Sequence, residues 1–331
     1  FLDLGAKPQK LGGDKLKQVL PLKCGIDAES GKKIQAALKA SKLSWTLLRP
    51  GLVWGRTASG GTALVRMLAA TPFVQPLVLA DSRVQMIDID AVTEAIEMAV
   101  ATDALHQRDL DLVDPTSHTL SDLTARIRQW HGYPPARFTL RLPAWIGAML
   151  ARGGDLAGWL GWRSPLRTTS LLSLRHGVTG DASQWAALTK STNSFETALR
   201  QRPATRQDRV FARTQLLLPI IILGLSAFWL ASGLIGLAQR HAATAVVDHA
   251  LANPAAFVLI GSTIDIALGL ALLWRPWARA AAWGMIVVTA TYLIAGSIFT
   301  PYLWADPLGP LVKPIPAAIL ALVCAALLEE R

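Results

Sequence analysis

Between Thr214 and Gln239 the chain carries no charged residue, and a run of that length exceeds the roughly 20 apolar residues needed to cross a bilayer. A chain with such a run is organised around a membrane. A second run extends to Trp274 from Asn253, which suits an N-cap, and Pro254, which suits the first helical position, interrupted only by Asp265. A third lies between Arg279 and Asp306. The fourth, Pro314 to Leu328, is short for a span and needs Lys313 and Glu329 to reach out to the interfaces. The pattern predicts an all-α, four-helix transmembrane domain over 206–331. A hydrophobic share of 52% and a mean hydropathy of +0.35 fit this reading and argue against an ordinary soluble enzyme.

Orientation follows from where Lys and Arg fall when loops are assigned alternately to the two sides. One side receives Arg200, Arg202, Arg206, Arg209, Arg213, Arg275, Arg279 and Arg331; the other receives Arg240 and Lys313. The preceding segment has no secretory-signal pattern. A multi-pass protein of the inner (cytoplasmic) membrane is therefore expected, with the soluble domain and both termini cytoplasmic. The net charge of +10 crowds next to the apolar runs without a basic stripe interleaved with aromatics, so the expected partner is the lipid bilayer and not nucleic acid. Trp229, Trp274, Trp277, Tyr302 and Trp304 lie in or beside the spans, and four of these five fall near expected ends, as amphipathic rings prefer.

Asp265 sits near the middle of the second run, where an ionised carboxylate costs at least about 2.5 to 3.5 kcal/mol. It is expected to face a neighbouring helix, with Ser262, Thr263 and Gly269 forming a small polar face and Thr289, Thr291 or Tyr292 supplying donors. A structural hydrogen bond and a proton or quinone site both fit this intramembrane polar position.

Ahead of the spans, residues 136–205 mix Trp145, Trp159 and Trp162 with Arg141, Arg152, Arg163, Arg167 and Arg175. Such a blend suits an amphipathic helical linker, lying either in the interface plane or against the soluble part. Before it, strands and helices alternate. A helix over Ala28 to Ser41 precedes a buried strand, Trp45 to Leu48, stopped by Arg49, Pro50 and Gly51. Val84 to Ile89 reads as a strand followed by a helix capped by Asp90. Leu110 to Val113 reads as another strand, and Thr119 with Asp122 forms a capping box for a helix stopped at Gly132. Alternation of this kind predicts an α/β domain with a doubly wound parallel sheet.

The segments SKLSWTLLRPGLVWG (Ser41 to Gly55), GGTALVRMLAATP (Gly60 to Pro72), VQMIDIDAVTEAI (Val84 to Ile96), TLSDLTARIRQWHG (Thr119 to Gly132) and GDLAGWLGWRSPLR (Gly154 to Arg167) resemble atypical short-chain dehydrogenase/reductases of the NAD-dependent epimerase/dehydratase kind fused to a DoxX-like membrane domain. PYLWADPLGPLVKPIP (Pro301 to Pro316) is similar to the end of that membrane domain. The resemblance implies that 1–135 is the C-terminal part of a Rossmann-like domain binding NAD or NADP. FLDLGAKP (Phe1 to Pro8) matches a later strand of such a domain, so the first strands are expected to be missing, together with the glycine-rich turn that cradles the pyrophosphate, and NAD or NADP is expected to bind fully only with those strands present.

The family's Ser, Tyr and Lys fall by position on Leu2, Asp27 and Gly31, which cannot form a lysine-activated phenol; Lys32 or Lys33 replaces the lysine only through a register shift. No catalytic residue is assigned. The resemblance does place Pro50, Gly51, Leu52 and Val53 beside the nicotinamide, where backbone groups would meet the carboxamide. A plain strand-ending loop is the alternative. His241, Asp248 and His249 match no zinc spacing, and the two cysteines, Cys24 and Cys324, cannot build a thiolate site, so no metal is expected. The functional expectation is a membrane-anchored oxidoreductase acting on a lipophilic or membrane-associated molecule. A nucleotide-binding sensor or assembly module and a quinone-linked membrane subunit are the alternatives.

Overall fold

The computed structural model describes residues 28–41, 44–189, 194–247, 253–307 and 309–328. Phe1 to Pro8, Cys24, Asp27, Asp248 and His249 lie outside the described residues. The chain divides into two compact units, Phe1–Asp155 with Ser164–Ala212, and Leu156–Arg163 with Arg213–Arg331.

The first unit opens with helix α1 (Ala28–Ala40) and strand β1 (Thr46–Pro50). The strand does not stop before Arg49, as the sequence suggests, but continues to Pro50, because Arg49 and Pro50 pair in parallel with Asp111 and Leu112 of β5 (Arg108–Leu112). After Gly51 the chain changes partner. Strand β2 (Leu52–Trp54) pairs in parallel with β4 (Arg83–Asp88), while Gly51 itself donates its amide to Leu112. A Cβ on Gly51 would stand 2.6 Å from the Gln85 carbonyl oxygen, so glycine is needed where the two strands converge.

Among the described residues the strands form three small sheets, with three of their four pairs parallel. These are β1–β5, β2–β4–β6 and β3–β7, where β3 is Val74–Val78, β6 is Ser117–Thr119 and β7 is Phe138–Leu142. The β4–β6 pair is antiparallel. Helix α2 (Gly60–Ala69) follows β2. Helix α3 (Ile89–Ala101) follows β4 and is capped by Asp88 rather than by Asp90. Asp88 is the last strand residue, and its carboxylate accepts from the Asp90 amide.

Helix α4 (Leu120–Trp130) starts as the sequence predicts, with Thr119 Oγ1 accepting from the Asp122 amide at 3.0 Å. Asp122 does not close the capping box, since its carboxylate bonds to His118 and Arg126. The main core of this unit brings Trp54, Val65, Met86, Leu123, Ile127 and Phe195 together. Helices α5 (Ala144–Trp159), α6 (Thr168–His176), α7 (Ser183–Leu188) and α8 (Phe195–Gln201) occupy the region expected to be a linker.

Helix α9 (Arg206–Ala238) carries residues of both units, and the short α10 (Arg240–Val247) follows it. The second unit is then built by α11 (Pro254–Leu273), α12 (Arg275–Phe299) and α13 (Pro314–Leu327). Helices α9, α11 and α12 are long and apolar enough to cross a membrane, whereas α13 has 14 residues. Among the described residues the second unit thus has three helices of spanning length and the shorter apolar α13, which the sequence also reads as short for a span. The chain is a multi-pass membrane protein.

The α9 and α11 backbones approach closely through small residues. A Cβ on Gly233 would stand 2.5 Å from the Ser262 carbonyl oxygen, and Ser226 Oγ donates to Gly269 O at 2.7 Å. Ile222, Leu225, Trp229, Leu272, Met285 and Cys324 are among the residues closing the core of this unit.

Candidate functional site

The parallel strands β1 and β5 end side by side, and outside their carboxyl ends lies an open depression of about 430 Å³. Arg49, Pro50 and Gly51 form one wall, Asp111 and Val113 a second, and Gly177 to Gly180 the third. The 177–181 loop is stitched down. Val178 exchanges backbone hydrogen bonds with β4, the buried Gln85 accepts from the Gly180 amide at 2.7 Å, and Asp111 accepts from the Asp181 amide at 3.0 Å. Openings at the carboxyl ends of parallel strands are where α/β proteins take ligands.

The charges here are paired. Arg49 Nε donates to Asp111 at 2.7 Å, and the same guanidinium meets Asp109, which Lys39 also contacts at 2.7 Å. The Asp111 hydrogen bond is the main reason that the Arg49 guanidinium is held above its ordinary pKa. A guanidinium bound by two carboxylates has little attraction left for a pyrophosphate. The depression suits a neutral, hydrogen-bonding group better.

Of the four cofactor-side residues named from the sequence, Pro50 and Gly51 line this depression and Leu52 and Val53 lie in β2. The Gly51 amide is engaged by Leu112 O, so any backbone contact to a ligand has to come from other atoms of the loop. Gly31 lies in α1, and Lys33 is exposed there. Among the described residues no group of three His, Cys, Asp or Glu could hold a metal ion. His241 is an exposed residue of α10.

The second candidate is within the membrane helices. Asp265 is 6% exposed and held by two hydroxyls, Ser232 Oγ of α9 donating to Oδ2 at 2.8 Å and Tyr292 Oη of α12 donating to Oδ1 at 3.1 Å. Ser262 and Gly269 are buried on the same helix, as expected. Thr263, Thr289 and Thr291 instead donate to carbonyls one turn back in their own helices. Ser232 escaped the sequence reading. Its signal was the small-residue run Ser226, Ser232, Gly233 and Gly236, which marks the α9 face that meets α11.

Residues 226–322 match the DoxX-like family. The match spans Ser232, Asp265 and Tyr292, so the polar cluster lies inside the DoxX-like domain.

Two curated proteins named nucleotide-binding protein, from Polaromonas sp. strain JS666 and Verminephrobacter eiseniae strain EF01-2, are each 54% identical to this chain over 43 residues. A third, from Polaromonas naphthalenivorans strain CJ2, is 49% identical over 43 residues. Each match takes in 13% of this chain and 26% of the relative. The chain thus spans about a quarter of the length of the curated relatives it matches.

Proposed function

We propose that this chain is a membrane-anchored NAD(P)-binding oxidoreductase of the atypical short-chain dehydrogenase/reductase type. It acts on a lipophilic or membrane-associated substrate from the cytoplasmic face of the inner membrane. The observation that carries the reading is the depression at the carboxyl ends of β1 and β5, walled by Pro50, Gly51 and the 177–180 loop, in a chain that also crosses the bilayer. Its paired charges suit the uncharged carboxamide end of the cofactor. The pyrophosphate would need a glycine-rich turn that this sequence does not contain.

Saturation-transfer NMR with NADH and the full chain in nanodiscs tests this. Nicotinamide protons are expected to receive saturation and adenine protons little, with Thr179→Trp, which fills the depression, removing the signal. Transfer to adenine alone, or a signal indifferent to Thr179→Trp, overturns the reading.

A second reading rests on the Asp265 cluster, in which the DoxX-like domain handles a quinone. Turnover of NADH with a lipophilic carbonyl but not with a quinone supports the first reading, and quinone reduction lost in Asp265→Asn supports the second.

A further inference from the structure

Helix α5 is built the wrong way round for a helix in water. Trp145, Met149, Arg152, Leu156 and Trp159, spaced alternately four and three residues apart, form one exposed stripe, with Trp145 63% and Trp159 81% exposed. The opposite face buries only Gly147, Ala151 and Gly154. Those small residues are required by close approach, since a Cβ on Gly147 would stand 2.5 Å from the Val78 side chain and one on Gly154 would overlap the Leu166 carbonyl. The large apolar side chains therefore have no room inward, and a stripe of this size facing water would be costly.

The residues after the helix are bonded to the turn between two membrane-spanning helices. Trp162 Nε1 donates to Leu273 O at 2.7 Å, the Arg275 amide donates to Leu160 O at 3.0 Å, and the Arg275 guanidinium lies over the Trp162 ring. These bonds hold the residues following α5 to the turn between α11 and α12. There Trp274 and Trp277 stand exposed, at the boundary where spans meet headgroups. The last residues of the stripe, Leu156 and Trp159, belong to the same unit as that boundary.

We propose that α5 lies in the headgroup region of the bilayer, Trp145, Met149, Leu156 and Trp159 entering the acyl boundary and Arg152 and Arg163 meeting anionic lipid headgroups.

Nitroxide labels on the full chain in nanodiscs containing anionic lipid test this, in a Cys24→Ser, Cys324→Ala background. At Met149→Cys and Leu156→Cys, collisions with oxygen are expected to exceed those with a water-soluble nickel chelate, and the order is expected to reverse at Arg175→Cys. Nickel collisions as frequent at 149 and 156 as at 175 would overturn the proposal, because the stripe would be wet. Exclusion of both reagents would overturn it in favour of a protein cover such as a second copy. If a labelled variant fails to fold, Trp159→Phe gives an independent readout. Brominated lipid is expected to quench the parent's tryptophan emission more strongly than the variant's, and equal quenching overturns the proposal.

Discussion

Arg66 is 2% exposed, and its guanidinium lies 4.3 Å from the centre of the Trp54 ring and 5.1 Å from that of Trp130. It donates to the carbonyls of Gly55 and Arg56 and to Asp208, which ties the loop after β2 to the first turn of α9. Burial pushes its pKa down while Asp208 opposes the shift. Arg66→Met keeps bulk between the rings but removes the guanidinium that donates to Asp208 Oδ1 and to two carbonyls. We expect a loss of about 3 kcal/mol, as for other broken buried pairs, read as a lowered unfolding midpoint by tryptophan fluorescence in detergent.

His131, fully buried nearby, has no hydrogen-bond partner at either ring nitrogen among the described residues. Burial first, then Arg66, lowers its pKa from 6.5 to about 4, with Asp208 opposing and Arg209 adding to the fall. Between those two values the unfolded chain binds the extra proton, so this group's effect on stability is absent above pH 6.5. It grows as a loss while the pH falls towards about 4, below which it levels off. His131→Phe should flatten the dependence of the unfolding midpoint on pH in that window, and an unchanged slope would remove His131 as its source.

At the scale of elements, α9, α11 and α12 meet at Asp265, and the substitutions that separate its roles differ only in polarity. Asp265→Asn keeps groups that can bond to Ser232 and Tyr292, so near-parental yields of folded protein are expected. Asp265→Leu leaves the Ser232 and Tyr292 hydroxyls without their shared acceptor and should lower the yield on size-exclusion chromatography. Helix limits were largely legible because their signals are local. Asn253 caps α11, its carboxamide oxygen accepting from Ala256, and Pro254 follows at the first position; Gly132 ends α4 with φ of 75°.

Strand pairing was not legible, since the partner change at Gly51 depends on the Gln85 carbonyl arriving from a distant strand. Likewise Asp90 looks like the cap of α3 in sequence, but pairing carries β4 through to Asp88. Of the sites, Asp265 announced itself through its cost in a membrane, while the 177–180 wall of the depression carries no motif.

At the scale of the whole molecule, the distribution of cations carries the expectation of sidedness. Arg206 and Arg209 begin α9, and Arg275 and Arg279 begin α12, while Arg240 opens α10 and Lys313 immediately precedes α13. Two crossings separate Arg206 from Arg275 along the chain, so both fall on one side of the bilayer, and Arg240 falls on the other. If the richer side is the cytoplasm, the segments around α10 and Asp306 face outward whether or not α13 completes a span.

Single cysteines in the Cys24→Ser, Cys324→Ala background separate the two topologies. At Ala242 and Asp306 they are expected to react with a membrane-impermeant maleimide in intact cells, and at Arg206 only after the cells are opened. Reaction at Arg206 in intact cells, with Ala242 and Asp306 protected until lysis, would invert the protein. The soluble unit would then face away from the cytoplasmic pool of NAD(P), and the oxidoreductase reading would lose its cofactor supply while the three-helix contact at Asp265 stood unchanged.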